Sequence, residues 1–209
     1  MNNEILNIEN TNIRSKVLIT GLGRSGTSLI ASIIKSIGYH MPYAYKLATN
    51  EDSQLRQLLK NGEIQGIKLE LDDRVKKHHF VAWKDPKIFS HNGIELNKIL
   101  DNEWVYILVF RDPYSIASRN IISQKSDDLD AALYEAAHNQ KKLVTFYNLI
   151  KIKNPTYLIS YEKFLSNKKQ EIEKIADFLK ININDQHITQ ILNNAQKDHE
   201  KYLKAQKGN

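Results

Sequence analysis

The chain has 209 residues, of which 41% are hydrophobic and 26% charged, a composition typical of a folded globular protein and not of a disordered one. It contains no cysteine, which excludes disulfides and cysteine-ligated zinc. A formal net charge of +6 favours anionic ligands in general. The lysines are spread along the whole sequence, so the charge does not indicate a particular ligand.

The length suits a single domain. We expect residues 1–209 to form it, with residues 1–14 as an N-terminal extension and residues 197–209 as a polar tail. The first residues lack the apolar segment of a signal peptide, and no stretch reaches the roughly 18 apolar residues of a membrane span. We therefore expect a soluble, cytoplasmic protein.

Short apolar segments alternate with helical patterns along the chain. The patterns predict strands at residues 16–20, 79–83, 104–110 and 156–160. They predict helices at residues 28–37, 114–123, 129–151, 169–179 and 185–194. This alternation indicates an α/β fold in three layers, with a mostly parallel central sheet and helices on both faces.

The loops that follow the first three strands carry the most unusual residues of the sequence. In folds of this kind, ligands bind beyond the carboxyl ends of the strands. The first of these loops, GLGRSGTS at residues 21–28, joins a predicted strand to a predicted helix. Glycines allow an anion to approach the backbone closely, and N–H groups at a helix start can hold phosphate oxygens. The sequence thus predicts an anion site here.

Two other interpretations of this loop are weaker. Gly21, Gly23 and Gly26 fit the dinucleotide fingerprint, but residues 38–43 lack the acid expected about twenty residues further on. Gly21 and Gly26 also fit the spacing of a Walker loop, but Thr27 stands where the phosphate-binding lysine should be. That substitution disfavours an ordinary ATPase or kinase. A glycine-rich turn without any ligand is the remaining alternative.

The loop resembles the 5′-phosphosulfate loop of sulfotransferases that use 3′-phosphoadenosine-5′-phosphosulfate (PAPS), where Arg or Lys precedes Ser-Gly-Thr. Similarity is greatest to the bacterial and tyrosylprotein branches. The resemblance implies a P-loop-type fold and a donor-binding loop formed by Gly23, Arg24, Ser25, Gly26, Thr27 and Ser28.

A second element resembles the 3′-phosphate motif of the same family. Arg111-Asp112-Pro113 closes the third strand, and a guanidinium there can bind phosphate oxygens with two hydrogen bonds. The family usually has serine eight residues after this arginine. Arg119 occupies that position here and Ser118 precedes it, so either residue could complete the site.

Two further elements resemble family motifs. Lys84-Asp85-Pro86 is similar to a Lys-Asp-Pro element whose lysine lies near the transferring sulfuryl group and stabilises charge on the leaving oxygen. Tyr161-Glu162 is similar to a Tyr-Glu-Asp element, with Lys163 in the third place. That resemblance implies that Tyr161 approaches the adenine, although a tyrosine there is as often part of the core.

The general base is the least defined part of the predicted site. The family often has an acid after the first helix, and Glu51 is the best match, which makes Glu51, Lys84 and Arg24 the predicted catalytic residues. Other residues remain possible as the base: Asp52, Glu70, His40, His78 and His79. No metal is expected, because Arg24, Lys84 and Arg111 supply the positive charge.

Taken together, the sequence predicts a sulfotransferase that moves the sulfuryl group of PAPS to a hydroxyl or amine. The acceptor could be a small molecule, glycan, lipid or peptide, bound by residues 38–66 and the C-terminal region; nucleic acid is not expected. Two alternatives stay open: a P-loop phosphotransferase or NTPase with an atypical loop, and a non-catalytic binding module. The second of these expects aromatic and basic residues interleaved on one face, and no such tract is evident.

Overall fold

A single all-parallel sheet forms the centre of the computed structural model, which describes residues 12–41, 49–90, 99–124 and 128–207. Its strands are β1 (Lys16–Gly21), β2 (Val81–Lys84), β3 (Trp104–Phe110) and β4 (Thr156–Ser160). They lie in the order β2-β1-β3-β4. The predicted α/β fold with a parallel central sheet is confirmed.

Helices connect and cover these strands. Their bounds are α1 Thr27–Ile37, α2 Ser53–Asn61, α3 Ile64–His78, α4 Pro113–Gln124, α5 Leu129–Ile150, α6 Tyr161–Ser166, α7 Lys168–Leu179 and α8 Asp185–Lys207, with a 3-10 turn at Ile88–Ser90. Within the described ranges, no helix combines the length and the apolar character needed to cross a bilayer.

The side chains of the strands alternate between two buried clusters, one on each face of the sheet. Val17 and Ile19 of β1 pack with α1, α7 and α8, whereas Leu18 packs with α2, α3, α4 and α5. Because successive side chains of a strand point to opposite faces, this alternation requires a helical layer on both sides. The three-layer arrangement predicted from the sequence is therefore present.

The strand order creates a crevice at one edge of the sheet. The chain leaves β1 toward β2 on one side, and it leaves β3 toward β4 on the other. Helix α1 packs on one face of the sheet and α4 on the opposite face. The carboxyl ends of β1 and β3 are neighbours, with Gly21 opposite Val109, so ligands are expected between these two strand ends.

Two predicted boundaries were wrong by two or more residues, and three helices were not predicted. Strand β2 begins at Val81 and not at residue 79, because His79 adopts a left-handed conformation (φ 59°) and closes α3. Helix α8 continues to Lys207 and does not end at residue 194. Helices α2, α3 and α6 were not predicted. The first two bury few apolar side chains among many polar ones, and α6 has only six residues.

Candidate active site

The loop between β1 and α1 is a compact turn that ends at the start of a helix. The Ser25 N–H donates to the carbonyl of Leu22 (3.0 Å), and Gly26 has a left-handed backbone (φ 96°). Gly26 is the N-cap of α1 and provides no side-chain cap, and the first turn of α1 has no acidic residue. The positive end of α1 therefore suits a bound anion.

Two glycines allow neighbouring elements to contact this loop. A Cβ atom on Gly21 would lie 2.5 Å from the carbonyl oxygen of Val109 in β3. One on Gly26 would lie 2.1 Å from the ring of Tyr161. Both distances are far below van der Waals contact, so glycine at these positions lets β3 and Tyr161 pack directly against the loop.

Replacing Gly26 with alanine is expected to lower the free energy of unfolding by about 3 kcal/mol, because a left-handed backbone costs about 1–2 kcal/mol and overpacking about 1–3 kcal/mol. Urea denaturation followed by circular dichroism measures the change. Gly23→Ala is the matched control, since its Cβ would meet nothing within 4 Å. Equal stability of the two variants would contradict this packing.

A buried hydroxyl lies inside the loop without a partner in the described residues. Ser25 is fully buried, and its Oγ makes no hydrogen bond. Buried polar groups in folded proteins almost always have a partner, so this hydroxyl can donate a hydrogen bond to a bound ligand or accept one from it.

Arg111 connects the loop to the end of β3. Its Nη1 donates to the carbonyl oxygen of Arg24 (2.8 Å), and its guanidinium lies 4.8 Å from the centre of the Tyr161 ring. Its buried Nε has no hydrogen-bond partner and lies 4.0 Å from Glu162 Oε1. The structure thus brings together Arg24, Arg111 and Tyr161, which are distant in the sequence.

The Tyr161-Glu162 element has a clear structural role. The Tyr161 ring packs on Gly26 and beneath the Arg111 guanidinium, and Glu162 Oε1 accepts from the backbone N–H of Asp112 (3.1 Å). The start of α6 therefore fixes both the loop and the end of β3. Sequence reasoning singled out this pair but did not anticipate that Glu162 would hold the backbone after Arg111.

The predicted Ser118 and Arg119 lie on α4. Its first turn is capped by Asp112, whose Oδ2 accepts from the Ser115 N–H (2.8 Å), and hydrogen bonds from Ser115 lower the pKa of Asp112. Ser118 is half-buried and Arg119 exposed. Either side chain remains a candidate for the second phosphate ligand, as the sequence predicted.

A second cluster of polar residues surrounds Lys84 at the end of β2. Only 1% of the Lys84 side chain is exposed. Its Nζ donates to Thr49 O (2.8 Å), Glu51 Oε1 (3.0 Å) and Ser28 Oγ (3.3 Å). The structure therefore joins Lys84 both to the first turn of α1 and to Glu51, the predicted base.

Burial and charge act on Lys84 in opposite directions. Burial lowers the pKa of Lys84, and the neighbouring Glu51 carboxylate offsets part of this effect. Glu51 Oε2 also accepts from Arg56 Nη1 (2.6 Å), so the carboxylate lies between two cations. Sequence reasoning missed Arg56. A correct prediction of α2 would have placed it one turn after the Glu51 segment.

The alternative bases have other structural partners. Asp52 caps α2 by accepting from the Leu55 N–H (2.9 Å), and it forms an ion pair with the buried Arg74. Glu70 also accepts from Arg74 (2.7 Å). His40 stacks on His78 with 3.5 Å between ring centres, and burial lowers the pKa of His40. His79 forms the turn after α3.

The parallel sheet, the uncapped helix start and the arginines at its edge define an α/β protein whose loop after β1 suits a bound anion. The sulfotransferase domain family model matches residues 14–209, and the chain therefore belongs to the sulfotransferase family. The predicted family and the predicted sulfuryl transfer are confirmed, and the phosphotransferase alternative is not favoured. A comparison with curated proteins gave no match.

Solved structures with a similar fold include three sulfotransferases. The sulfotransferase domain of the Synechococcus PCC 7002 olefin synthase is 14% identical, with a TM-score of 0.59 over 86% of this chain and 76% of that one. The sulfotransferase domain from the curacin biosynthetic pathway is 14% identical, with a TM-score of 0.52 over 83% and 76%. A mouse sulfotransferase complexed with PAP is 15% identical, with a TM-score of 0.53 over 87% and 64%.

Proposed function

We propose that this sulfotransferase uses PAPS as its donor and that residues 23–28 and Arg111 bind the two phosphate groups. The main support is the 2.8 Å hydrogen bond from Arg111 to the Arg24 carbonyl, because it joins the two elements that resemble the family's 5′ and 3′ phosphate motifs. One ligand with phosphates at both ends of its ribose can then contact both elements. The mouse structure of similar fold contains PAP, the desulfated product.

In this proposal the first loop binds the 5′-phosphosulfate. The backbone N–H groups at the start of α1 hold its oxygens, together with the hydroxyls of Thr27 and Ser28. A donor oxygen also supplies the partner that the buried Ser25 hydroxyl lacks in the protein. Arg24 adds a positive charge to the same group.

The 3′-phosphate is assigned to Arg111, with Ser118 or Arg119 completing its site. The Nε of Arg111 makes no hydrogen bond within the described residues, which supports this assignment, since a guanidinium can offer two parallel donors to a phosphate. Tyr161 packs beside Arg111, close enough for the adenine end of the same ligand to approach its ring.

The reaction is an in-line transfer in which positioning and charge do most of the work, as in phosphoryl transfer. The acceptor oxygen or nitrogen forms a bond to sulfur while the bond from sulfur to the 5′-phosphate oxygen breaks. The electron pair of the broken bond stays on that oxygen, PAP leaves, and the proton of the acceptor passes to Glu51. Lys84 and Arg24 stabilise the charge that builds on the leaving oxygen.

The contact between Lys84 and Glu51 links proton transfer from the acceptor to the stabilisation of charge on the leaving oxygen. While Glu51 is ionised, it holds the Lys84 ammonium 3.0 Å away. Proton uptake by Glu51 removes that attraction, which frees Lys84 to donate to the leaving oxygen as its charge develops. Arg56 fixes the orientation of Glu51 from the other side.

Three cations, Arg24, Lys84 and Arg111, provide the charge that magnesium provides in kinases, so the proposal includes no metal. The acceptor carries a hydroxyl or amine, and a small molecule, glycan, lipid or peptide would serve. Nucleic acid is not among the proposed partners.

Thermal unfolding in the presence of nucleotides tests the proposal. PAP at one hundred times its dissociation constant is expected to stabilise the protein by about 2.7 kcal/mol, which raises Tm by roughly 5–10 °C for a chain of this size. The shift should persist in EDTA, and AMP, which lacks the 3′-phosphate, should give a smaller one. Stabilisation by ATP–Mg but not by PAP would instead support a P-loop phosphotransferase.

A further inference from the structure

A cavity of about 420 Å³ lies beside the donor loop, on the face of the sheet that α4 and α5 cover. Its volume falls within the range of roughly 300–1,000 Å³ typical of small-molecule sites. Gly23 and Pro86 contribute to its wall, and so do side chains of α4 and α5. The described residues therefore include a ready-made site next to the loop that the proposed function assigns to the donor.

The position of the cavity fits an acceptor, although it differs from the acceptor region expected from the sequence, because none of the described residues of 38–66 or of the C-terminal region lines it. Gly23 directly precedes Arg24, and Pro86 lies two residues after Lys84, the last residue of β2. The wall of the cavity therefore includes close neighbours in sequence of both proposed catalytic cations.

The cavity also differs from the proposed 3′-phosphate site. Helix α4 contributes Ile116 and Asn120, which are one turn apart on the same face. Ser118 is two residues from each of them and so lies on nearly the opposite side of the helix. The nucleotide and the contents of the cavity would therefore use different faces of α4.

We infer that this cavity binds the acceptor and that the acceptor is a polyhydroxylated molecule of sugar size. The inference rests on the proposed function. Asn120 and Asn139 offer both donors and acceptors, Glu135 offers acceptors, and Lys87 and Lys142 offer donors. A sugar presents hydroxyl groups that donate and accept in several directions, and this mixed set of side chains matches them.

The apolar part of the cavity lining also suits a sugar. Phe89 is half-buried in the wall, and a flat aromatic ring can pack on the C–H face of a sugar. A steroid, phenol or long-chain alcohol would cover the half-buried amides of Asn120 and Asn139 without hydrogen bonds, which costs free energy for each unpaired group.

The test measures sulfation of a defined panel by the full chain with radiolabelled PAPS. The sugars are the methyl glycosides of glucose, galactose and N-acetylglucosamine, together with maltose, and the comparison alcohols are 2-naphthol and 1-dodecanol. We expect sulfation of at least one sugar and a kcat/KM for it at least tenfold higher than for either alcohol.

A substitution ties the result to the cavity. Asn139→Leu is expected to raise KM for the sulfated sugar about tenfold, because neutral hydrogen bonds are lost and a buried sugar hydroxyl loses its partner, with kcat and the PAP-induced Tm shift unchanged. Asn148→Leu, at an exposed position of the same helix, is the matched control and should leave KM unchanged.

The outcomes separate this inference from the proposed function. Failure of PAP to bind overturns the proposed function and the inference with it. If PAP binds, three results overturn the inference alone: no sulfation of any sugar, preferred sulfation of 2-naphthol or 1-dodecanol, or an unchanged KM in Asn139→Leu.

Discussion

Replacing Arg111 with alanine is expected to weaken PAP binding at least about 100-fold, because hydrogen bonds to a charged group contribute about 1.5–3 kcal/mol each and a guanidinium can form two of them. The substitution also removes the contact to the Arg24 carbonyl, so the 5′ loop loses part of its support. Isothermal titration calorimetry with PAP measures the loss, and circular dichroism verifies that the variant is folded.

Two further variants test whether the loss of PAP affinity comes from the paired donors of Arg111 or from its charge alone. Arg111→Lys keeps the charge but loses the paired donors, so its affinity should fall between the wild type and Arg111→Ala. Lys141→Ala removes an exposed cation of α5 and should leave the affinity unchanged. Wild-type affinity in Arg111→Ala would remove this residue from the donor site.

Replacing Glu51 with glutamine is expected to lower kcat by a factor of about 100 to 10,000, the usual contribution of a general base. The amide has almost the same shape, but its single oxygen can accept from Lys84 or from Arg56 and not from both, so stability should fall while PAP affinity changes little. Steady-state sulfation assays and PAP titration, carried out on the same preparation, measure the two quantities separately.

Glu70→Gln is the comparison variant for this prediction. Glu70 was an alternative base, but it pairs with Arg74 on α3. We expect Glu70→Gln to keep turnover close to that of the wild type. Full turnover in Glu51→Gln would exclude Glu51 as the general base. A large loss of turnover in Glu70→Gln would favour Glu70 as the base instead.

Local sequence patterns were sufficient to predict the central strands. Strands β3 and β4 begin and end at the predicted residues, because a continuous run of apolar and β-branched residues bounded by Asp-Pro or Asn-Pro has few other stable conformations. The turn at the proposed donor loop was predicted equally well. Its glycines mark a strand-to-helix turn, and the structure explains two of them by contacts with Val109 and Tyr161.

Sequence patterns did not predict the helices that are stabilised by polar contacts between distant segments of the chain. Helices α2 and α3 each bury few apolar residues, and an ion pair between Asp52 and Arg74 joins the start of α2 to α3. An apolar periodicity cannot reveal a helix that such a pair stabilises. The same limitation hid Arg56, whose contact with Glu51 depends on the position of α2.

The sequence by itself determined the four strands, five of the eight described helices, the glycine-rich loop and the family resemblance, since these depend on residues that are close together in the chain. Only the tertiary structure decided that Arg111 reaches the Arg24 carbonyl, that Lys84 lies against Glu51, and that a cavity opens beside Gly23. The reason is that parallel strands bring their carboxyl ends to one edge, where residues far apart in sequence become neighbours.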